Sequence, residues 1–185
     1  MQVEQTKLKD CYLIKDTVFG DARGYFFESF NQQRFAELTG IDVQFVQDNQ
    51  SKSGYGVLRG LHYQVGEHVQ AKLVRVLQGK VLDVVVDLRK ESPSFGQYLA
   101  VELSEENHLQ LFVPRGFAHG FSVLSETAVF FYKCDNYYNK DAEGGIMYND
   151  PAFNIDWQIP AESVLLSEKD KTQLSFAEAI KTLNF

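Results

Sequence analysis

The chain has 185 residues, of which 44% are hydrophobic and 23% are charged, and its formal net charge is −7. This composition is typical of a globular protein with a sizeable core and excludes a disordered chain. The acidic balance disfavours general binding to nucleic acids or to anionic membranes, which attract basic surfaces.

The predicted elements are mostly β-strands, in short runs rich in β-branched and aromatic residues. In chain order, these strands cover residues 12–18, 25–30, 43–49, 57–64, 72–78, 81–88, 98–103, 109–113, 120–123 and 128–134. Helical spacing occurs over 31–38, before Gly40, and over 171–183. Many short strands separated by turns predict a mainly β protein, a sandwich, jelly roll or barrel, in one domain over 1–185.

The clearest alternation follows Gly79-Lys80, a pair that predicts a tight hairpin. Beyond this turn, the even-numbered residues from Leu82 to Leu88 are all apolar. The odd-numbered residues from Val81 to Asp87 alternate valine with aspartate. We therefore expect one apolar face and one mixed face decorated with polar groups.

The cysteines and the N-terminus indicate where the protein works. Cys11 and Cys134 lie far apart and form no CxxC unit, so neither a disulfide framework nor a structural zinc site is expected. The N-terminal residues lack the apolar run of a signal peptide, and no apolar stretch approaches the roughly 20 residues that cross a bilayer. We expect a soluble, cytoplasmic protein with no nucleic-acid or membrane partner.

The four histidines, His62, His68, His108 and His119, first suggest a metal site. A metal-binding cupin pairs an HxH unit with a PxGxxH unit, and only the second is intact, over residues 114–119. In the first, Gln64 stands where the second imidazole belongs, and the ammonium of Lys72 nearby would repel a divalent cation. The sequence therefore favours no functional metal. A histidine satisfied by backbone hydrogen bonds is the other interpretation of His119.

His62 is the better candidate for chemistry, because an imidazole pKa near 6.5 suits a general base at neutral pH. Arg59, Lys72 and Arg75 place cations in an apolar stretch, where burial is costly unless the charge is paired or binds a ligand. Strict alternation puts Lys72 and Arg75 on opposite faces, so at most one is expected in a pocket. Arg59 and His62 share a cavity only if Gly60 bends the strand. A histidine without chemistry stays the alternative.

Several motifs, in order, resemble the dTDP-4-dehydrorhamnose 3,5-epimerase family. They are FGDARGYF (19–26), GVLRGLHYQ (56–64), AKLVRVLQGKVLDVVVDLR (71–89), VPRGFAHGF (113–121), NDP (149–151) and SEKD (167–170). The resemblance implies a cupin-like jelly-roll β-sandwich or barrel with short flanking helices, forming a homodimer. It also implies action on dTDP-4-dehydro-6-deoxy-glucose without a metal or redox cofactor, in making rhamnose for lipopolysaccharide or cell-wall polysaccharide.

The same resemblance implies roles for individual residues. His62 would be the base, oriented by Asp170; Lys72 would hold the oxygen at C4, and Tyr132 would donate a proton on the opposite face of the sugar. Tyr138 would stack on the thymine, although tyrosines in such a run usually belong to the core of the sandwich, with the hydroxyl at its rim. The other implied substrate contacts are Arg23, Glu28, Gln47, Asp48, Asn49, Arg59, His119, Glu143 and Lys169. Arg23 would reach the active site of a partner subunit.

Three alternatives stay open from the sequence: an epimerase acting only at C3 or only at C5, a metal-dependent cupin oxygenase, and a metal-free sugar-binding module. Tyr132 favours inversion at both carbons. Gln64 and Lys72 disfavour the oxygenase, and a binding module has no need of a His-Lys-Tyr set.

Overall fold

A computed structural model describes residues 1–185, which form thirteen strands and two α-helices. The strands are β1 (Gln2–Gln5), β2 (Tyr12–Lys15), β3 (Phe19–Asp21), β4 (Gly24–Phe26), β5 (Gln47–Gly54), β6 (Leu58–Gln64), β7 (Lys72–Gln78), β8 (Lys80–Asp87), β9 (Tyr98–Ser104), β10 (Leu109–Val113), β11 (Phe117–Val123), β12 (Thr127–Cys134) and β13 (Glu143–Gly145). The helices are α1 (Gln32–Thr39) and α2 (Phe176–Thr182). Neither helix has the length and apolar character needed to cross a membrane.

Two antiparallel sheets face each other. One has the order β1-β2-β10-β7-β12-β5 and the other β13-β6-β11-β8-β9, while β3 and β4 form a separate two-stranded ribbon. The inner faces meet in a core that includes Val74, Val85, Phe121 and Phe130, whose side chains point toward the opposite sheet. This arrangement confirms the prediction of a mainly β, jelly-roll sandwich.

Both outer faces are largely covered. The helix α1 packs Phe35 against the six-stranded sheet; it begins at Asn31, whose side chain accepts from the Arg34 N–H, and ends at Gly40 with φ of 72°. The C-terminal segment packs Phe153 and Trp157 against the five-stranded sheet. Because the five-stranded sheet is packed on both sides, its central strands carry few exposed residues.

This covering overturns the expectation of a decorated face on β8. Asp83 and Asp87 on the mixed face are fully buried, since that face points toward the opposite sheet and the apolar face lies under the C-terminal segment. The second predicted helix is also shorter than expected. It begins only at the capping box of Ser175 and Glu178, and residues 170–172 form a 3₁₀ turn instead.

Candidate active site

A cavity of about 500 Å³ opens between the two sheets. Its walls include seven of the residues predicted from sequence: Arg59, His62, Lys72, His119, Tyr132, Lys169 and Asp170. A second cavity of about 200 Å³ shares His62, Lys72 and Tyr132 with the first, and adds Gln47, Asn49, Tyr138 and Glu143. All but three of the predicted site residues therefore lie along one cleft.

A bend in β6 brings Arg59 and His62 into the same cavity despite their opposite parity. The pairing of β6 with β11 shifts register between His62 opposite His119 and Arg59 opposite Phe121. Gly60 lies at the shift with φ of +120°, and a Cβ there would lie 2.5 Å from the Gly120 Cα. Only glycine fits this close approach of two backbones.

Alternation along β7 separates its two cations as predicted. Lys72 faces the cavity, whereas Arg75 lies on the other face of the sheet, with its guanidinium 4.9 Å from the centre of the Phe27 ring. Only Lys72 of this pair is in reach of a ligand in the cleft.

Asp170 contacts His62 although 108 residues separate them along the chain. The Leu165 N–H donates to the Gly56 carbonyl at 2.9 Å, and the Leu58 N–H donates to the Leu165 carbonyl at 3.0 Å. These bonds lay the segment from Leu165 to Asp170 beside the start of β6. The Asp170 Oδ1 then lies 2.5 Å from the His62 Nε2.

The charge of Asp170 is fixed by its hydrogen bonds. Its carboxyl is only 3% exposed, and burial alone would disfavour ionisation. The hydrogen bonds from His62 and from the Ser167 Oγ, at 2.7 Å, outweigh that effect and hold the pKa of Asp170 below its ordinary value. A carboxylate at Nε2 keeps that nitrogen protonated, so the Nδ1 of His62 is the free proton acceptor.

Tyr132 and Lys72 project from the sheet opposite His62. They lie on neighbouring strands, β12 and β7, and the Lys72 Nζ is 5.8 Å from the centre of the Tyr132 ring. Burial raises the pKa of Tyr132, which keeps its phenol protonated. Burial lowers the pKa of Lys72, an effect that is only partly opposed by the acidic groups around it. The imidazole of His62 on one wall therefore faces the phenol of Tyr132 and the amino group of Lys72 on the other.

The outer part of the cleft holds charged and aromatic groups. The Arg59 Nη2 donates to the Ser53 Oγ at 3.1 Å, and Lys169 pairs with Glu143 at 2.5 Å. The Tyr138 hydroxyl also donates to Glu143, at 2.9 Å, and its ring is half exposed. Burial works against ionisation of Glu143, but Lys169 and Tyr138 hold the pKa of Glu143 below its ordinary value.

Three predicted residues lie outside the cleft. Arg23 is exposed at the tip of the β3–β4 ribbon and pairs with Asp21. Glu28 is exposed and accepts from the Asn31 side chain. Asp48 lies on the outward face of β5, paired with Lys133 at 2.8 Å. Their contacts with substrate stay predictions.

Sequence reasoning missed several groups of the site. The Asp83 Oδ2 lies 2.8 Å from the His119 Nε2. A charged residue within a run of alternating apolar residues could have indicated that Asp83 has a polar partner. Ser167 was visible as the first residue of the SEKD motif. Cys134 also lines the second cavity, and burial raises the pKa of its thiol to about 11. Nothing local marks that cysteine, because its place depends on the pairing of β12 with β7.

The chain is similar to known epimerases over nearly its whole length. A family model described as dTDP-4-dehydrorhamnose 3,5-epimerase matches residues 5–178. The protein of that name from Salmonella typhimurium is 53% identical over 185 residues, which cover 98% of this chain and 99% of that protein. A crystal structure of dTDP-4-dehydrorhamnose 3,5-epimerase from Elizabethkingia anophelis has a TM-score of 0.93 at 60% identity, covering 96% of this chain and 97% of that one. The dTDP-6-deoxy-D-glucose-3,5-epimerase of Legionella pneumophila, solved in complex with dTDP-4-keto-L-rhamnose, has a TM-score of 0.92 at 47% identity and covers 100% and 98%.

Proposed function

The chain belongs to the dTDP-4-dehydrorhamnose 3,5-epimerase family, and we propose that it works through His62 and Tyr132 on opposite walls of the cleft. It is an enzyme that inverts C3 and C5 of dTDP-4-dehydro-6-deoxy-D-glucose to give dTDP-4-dehydro-L-rhamnose. The family membership sets aside the oxygenase and the sugar-binding module. Inversion at both carbons is favoured over inversion at one, because the curated relatives at 52% and 53% identity are named for both.

The reaction needs a base and an acid on opposite faces of the sugar ring. The keto group at C4 acidifies the hydrogens on C3 and C5, because the carbanion left by proton loss spreads onto oxygen as an enolate. Inversion follows when the proton leaves from one face and a proton arrives at the other. The observation that carries our assignment is that His62 and Tyr132 come from facing sheets and line the same cavity.

His62 takes the proton. Its Nε2 is held by Asp170, so Nδ1 accepts the hydrogen from C3 or C5, and the resulting imidazolium is stabilised by the adjacent carboxylate. The proton on His62 passes to solvent before the next cycle, since the side chain is 26% exposed.

Tyr132 returns a proton from the other side. Its raised pKa keeps the phenol protonated, so it can donate to the enolate carbon and leave a phenolate that solvent reprotonates. Lys72 supports both steps by donating to the C4 oxygen. Its charge stabilises an oxyanion that exists chiefly in the transition state and the enolate, where stabilisation raises the rate.

The outer cleft suits the nucleotide. Arg59 and Lys169 bring positive charge to the cavity wall where we place the diphosphate, and guanidinium binds such groups bidentately. His119 lines the same cavity from a buried position, and we propose it as a further substrate contact. The half-exposed ring of Tyr138 offers a stacking surface for thymine, with Gln47 and Asn49 beside it to hydrogen-bond the base edge.

We also propose a homodimer in which Arg23, Glu28 and Asp48 serve a shared site. The β3–β4 ribbon exposes Phe19 and Phe26 by 64% and 70%, a large apolar surface for a two-stranded element outside both sheets. Such ribbons are marginal alone, and exposed apolar patches mark interaction surfaces. A second copy packed there would cover the aromatics and accept Arg23. We place this single-domain enzyme (1–185) in the cytoplasm, supplying rhamnose for lipopolysaccharide or cell-wall polysaccharide.

Proton exchange in heavy water tests the assignment of His62. The purified protein is incubated with dTDP-4-keto-6-deoxy-glucose in D₂O, and deuterium at C3 and C5 is followed by NMR together with the sugar configuration. We expect exchange at both carbons and formation of the L-rhamno product. We expect His62→Ala to bind dTDP normally and to exchange at neither carbon. Exchange at the wild-type rate in that variant would exclude His62 as the base.

A further inference from the structure

Gln64 is a buried polar residue that the catalytic scheme does not use. It stands where a metal-binding cupin carries its second imidazole, two residues after His62 at the end of β6. The residue between them, Tyr63, packs with the C-terminal segment on the outer side of the sheet, so His62 and Gln64 face inward. Gln64 is only 6% exposed and lines the second cavity together with His62 and Lys72.

The orientation of the Gln64 amide is set by the loop that follows β12. The Asn139 backbone N–H donates to the Gln64 Oε1 at 2.9 Å. Asn139 is itself held, because its side-chain oxygen accepts from the Asp141 N–H at 2.9 Å. Exchanging the oxygen and the nitrogen of the Gln64 amide would place two donors against each other. Nε2 is therefore the end of the side chain that is left for the cavity.

The Gln64 Nε2 has no hydrogen-bond partner and is shielded from solvent. Buried polar groups in proteins are nearly always hydrogen-bonded, and a buried donor without an acceptor costs the free energy of its desolvation. An apolar side chain of similar size, such as methionine, would fill this place without that cost. An amide here is accounted for when a ligand in the second cavity supplies the acceptor.

The neighbouring groups indicate which atom that acceptor is. Lys72 lines the same cavity, and its ammonium offers donors only, as does the free end of Gln64. A carbonyl oxygen has two lone pairs and can accept from both. In the keto-sugar, the C4 oxygen stays in the plane of the enolate whichever carbon reacts, whereas the hydroxyl on C3 changes sides when C3 inverts. A donor held in one orientation therefore suits the C4 oxygen.

We infer that Gln64 is a further catalytic residue, whose Nε2 donates to the C4 oxygen beside Lys72. This inference rests on the proposed function, which places that oxygen at Lys72. The two donors come from facing sheets, since Gln64 is on β6 and Lys72 is on β7. The C4 oxygen gains negative charge as the enolate forms, so a fixed donor to it raises the rate more than it improves substrate binding.

Two substitutions and one control separate catalysis from loop anchoring. Gln64→Met removes the amide and keeps the size of the side chain, whereas Gln64→Glu removes the N–H donors and retains an oxygen for the Asn139 N–H. The control is Asn136→Ala, because the Asn136 side chain ties the same loop to the Glu67 and Val69 carbonyls and lies outside both cavities.

The kinetic results should differ between these variants. We expect kcat to fall by about 10²-fold in both Gln64 variants, the scale of loss for a single oxyanion donor in other enzymes. Gln64→Glu should bind dTDP as tightly as wild type, because dTDP lacks the sugar. Asn136→Ala should raise KM, since it loosens the loop that carries Tyr138, and should leave kcat near that of wild type.

An NMR measurement reports on the hydrogen bond without relying on turnover. The side-chain amide signal of Gln64 in ¹⁵N-labelled protein is identified by its loss in Gln64→Glu. Either dTDP or dTDP-4-keto-6-deoxy-glucose is then added to the wild-type protein. We expect the keto-sugar to move the Gln64 signal downfield and dTDP alone to leave it in place. Substrate and product both carry the C4 oxygen, so conversion during the measurement does not remove the effect.

The outcomes distinguish a failure of the inference from a failure of its premise. An amide signal that does not respond to the keto-sugar, or kcat near wild type in folded Gln64→Met, would overturn the role of Gln64. A rise in KM alone would overturn the assignment to the C4 oxygen, because a ring hydroxyl gains no charge in the reaction. If the amide responds but the wild-type protein exchanges no proton at C3 or C5, the proposed function fails and the hydrogen bond stands.

Discussion

Asp170→Asn is the sharpest perturbation of the proposed base. The amide is nearly isosteric with the carboxyl, and both partners of the native side chain can remain bonded. The Ser167 Oγ, which donates to Oδ2 at 2.7 Å, can instead accept from the amide nitrogen. The amide oxygen then faces the His62 Nε2, so the imidazole keeps its tautomer and its orientation.

What this substitution removes is the charge of the acceptor. A hydrogen bond to a charged group contributes about 1.5–3 kcal/mol, against about 0.5–1.5 kcal/mol for a neutral one. The difference, roughly 1–2 kcal/mol, raises the free energy of the transition state, in which His62 becomes positive. At about 1.4 kcal/mol for each factor of ten, we expect the exchange rate at C3 and C5 to fall by roughly 5- to 30-fold.

The assay is deuterium incorporation at C3 and C5 under saturating substrate. Ser167→Ala is the matched control, because it removes a hydrogen bond to Asp170 but leaves the charge at His62, and we expect a smaller loss there. If folded Asp170→Asn exchanged deuterium at a rate within a factor of two of wild type, with unchanged dTDP affinity, the proposed action of the Asp170 charge on His62 would be refuted.

Three further predictions concern pH, backbone and assembly. The alkaline loss of kcat should begin below the ordinary lysine pKa of about 10.4. Burial lowers the pKa of Lys72 and raises that of Tyr132, so the lysine loses its proton before the phenol does. A loss of kcat that begins only at or above about pH 10.4 would contradict this. Gly60→Ala should lower the free energy of unfolding in urea by about 2–4 kcal/mol. The control is Gly66→Ala, which should cost about 1 kcal/mol, because Gly66 has φ of +61° but an added Cβ there meets open space. Equal costs for the two variants would refute the close approach of backbones at Gly60. Phe26→Asp should sediment as a monomer and have low epimerase activity, whereas Tyr55→Asp, at another exposed aromatic residue, should stay dimeric and active. A fully active monomer would refute the shared site.

The regular part of the fold could be predicted because burial alternates with period two. The strands β7 and β10 have the predicted bounds. The hairpin predicted at Gly79-Lys80 is wrong: Gly79 turns the chain with φ of 75°, but β7 and β8 belong to different sheets and do not pair, so the turn carries the chain from one sheet to the other. The strands β1, β3 and β13 were missed. They are only three or four residues long and mostly polar or glycine-containing, so they carry no periodic signal of their own.

The site was less accessible to sequence reasoning than the fold. Alternation placed Lys72 and Arg75 correctly, and Gly60 was the visible sign of the bend that joins Arg59 to His62. The contact of Asp170 with His62 rests on backbone bonds between Leu165 and Gly56, which no local pattern reveals. The error over the second face of β8 has a related cause: alternation separates two faces but does not say what packs on each.

Tyr132→Phe tests the central claim, that a base and a proton donor act from opposite walls. The variant keeps His62, Asp170 and Lys72, so it should still remove protons and return them from the His62 side. We predict that deuterium enters C3 and C5 at a rate within about tenfold of wild type, while inversion falls by the 10²–10⁴ expected for loss of a positioned acid. Equal loss of exchange and inversion in a folded variant, or inversion at the wild-type rate, would contradict the account.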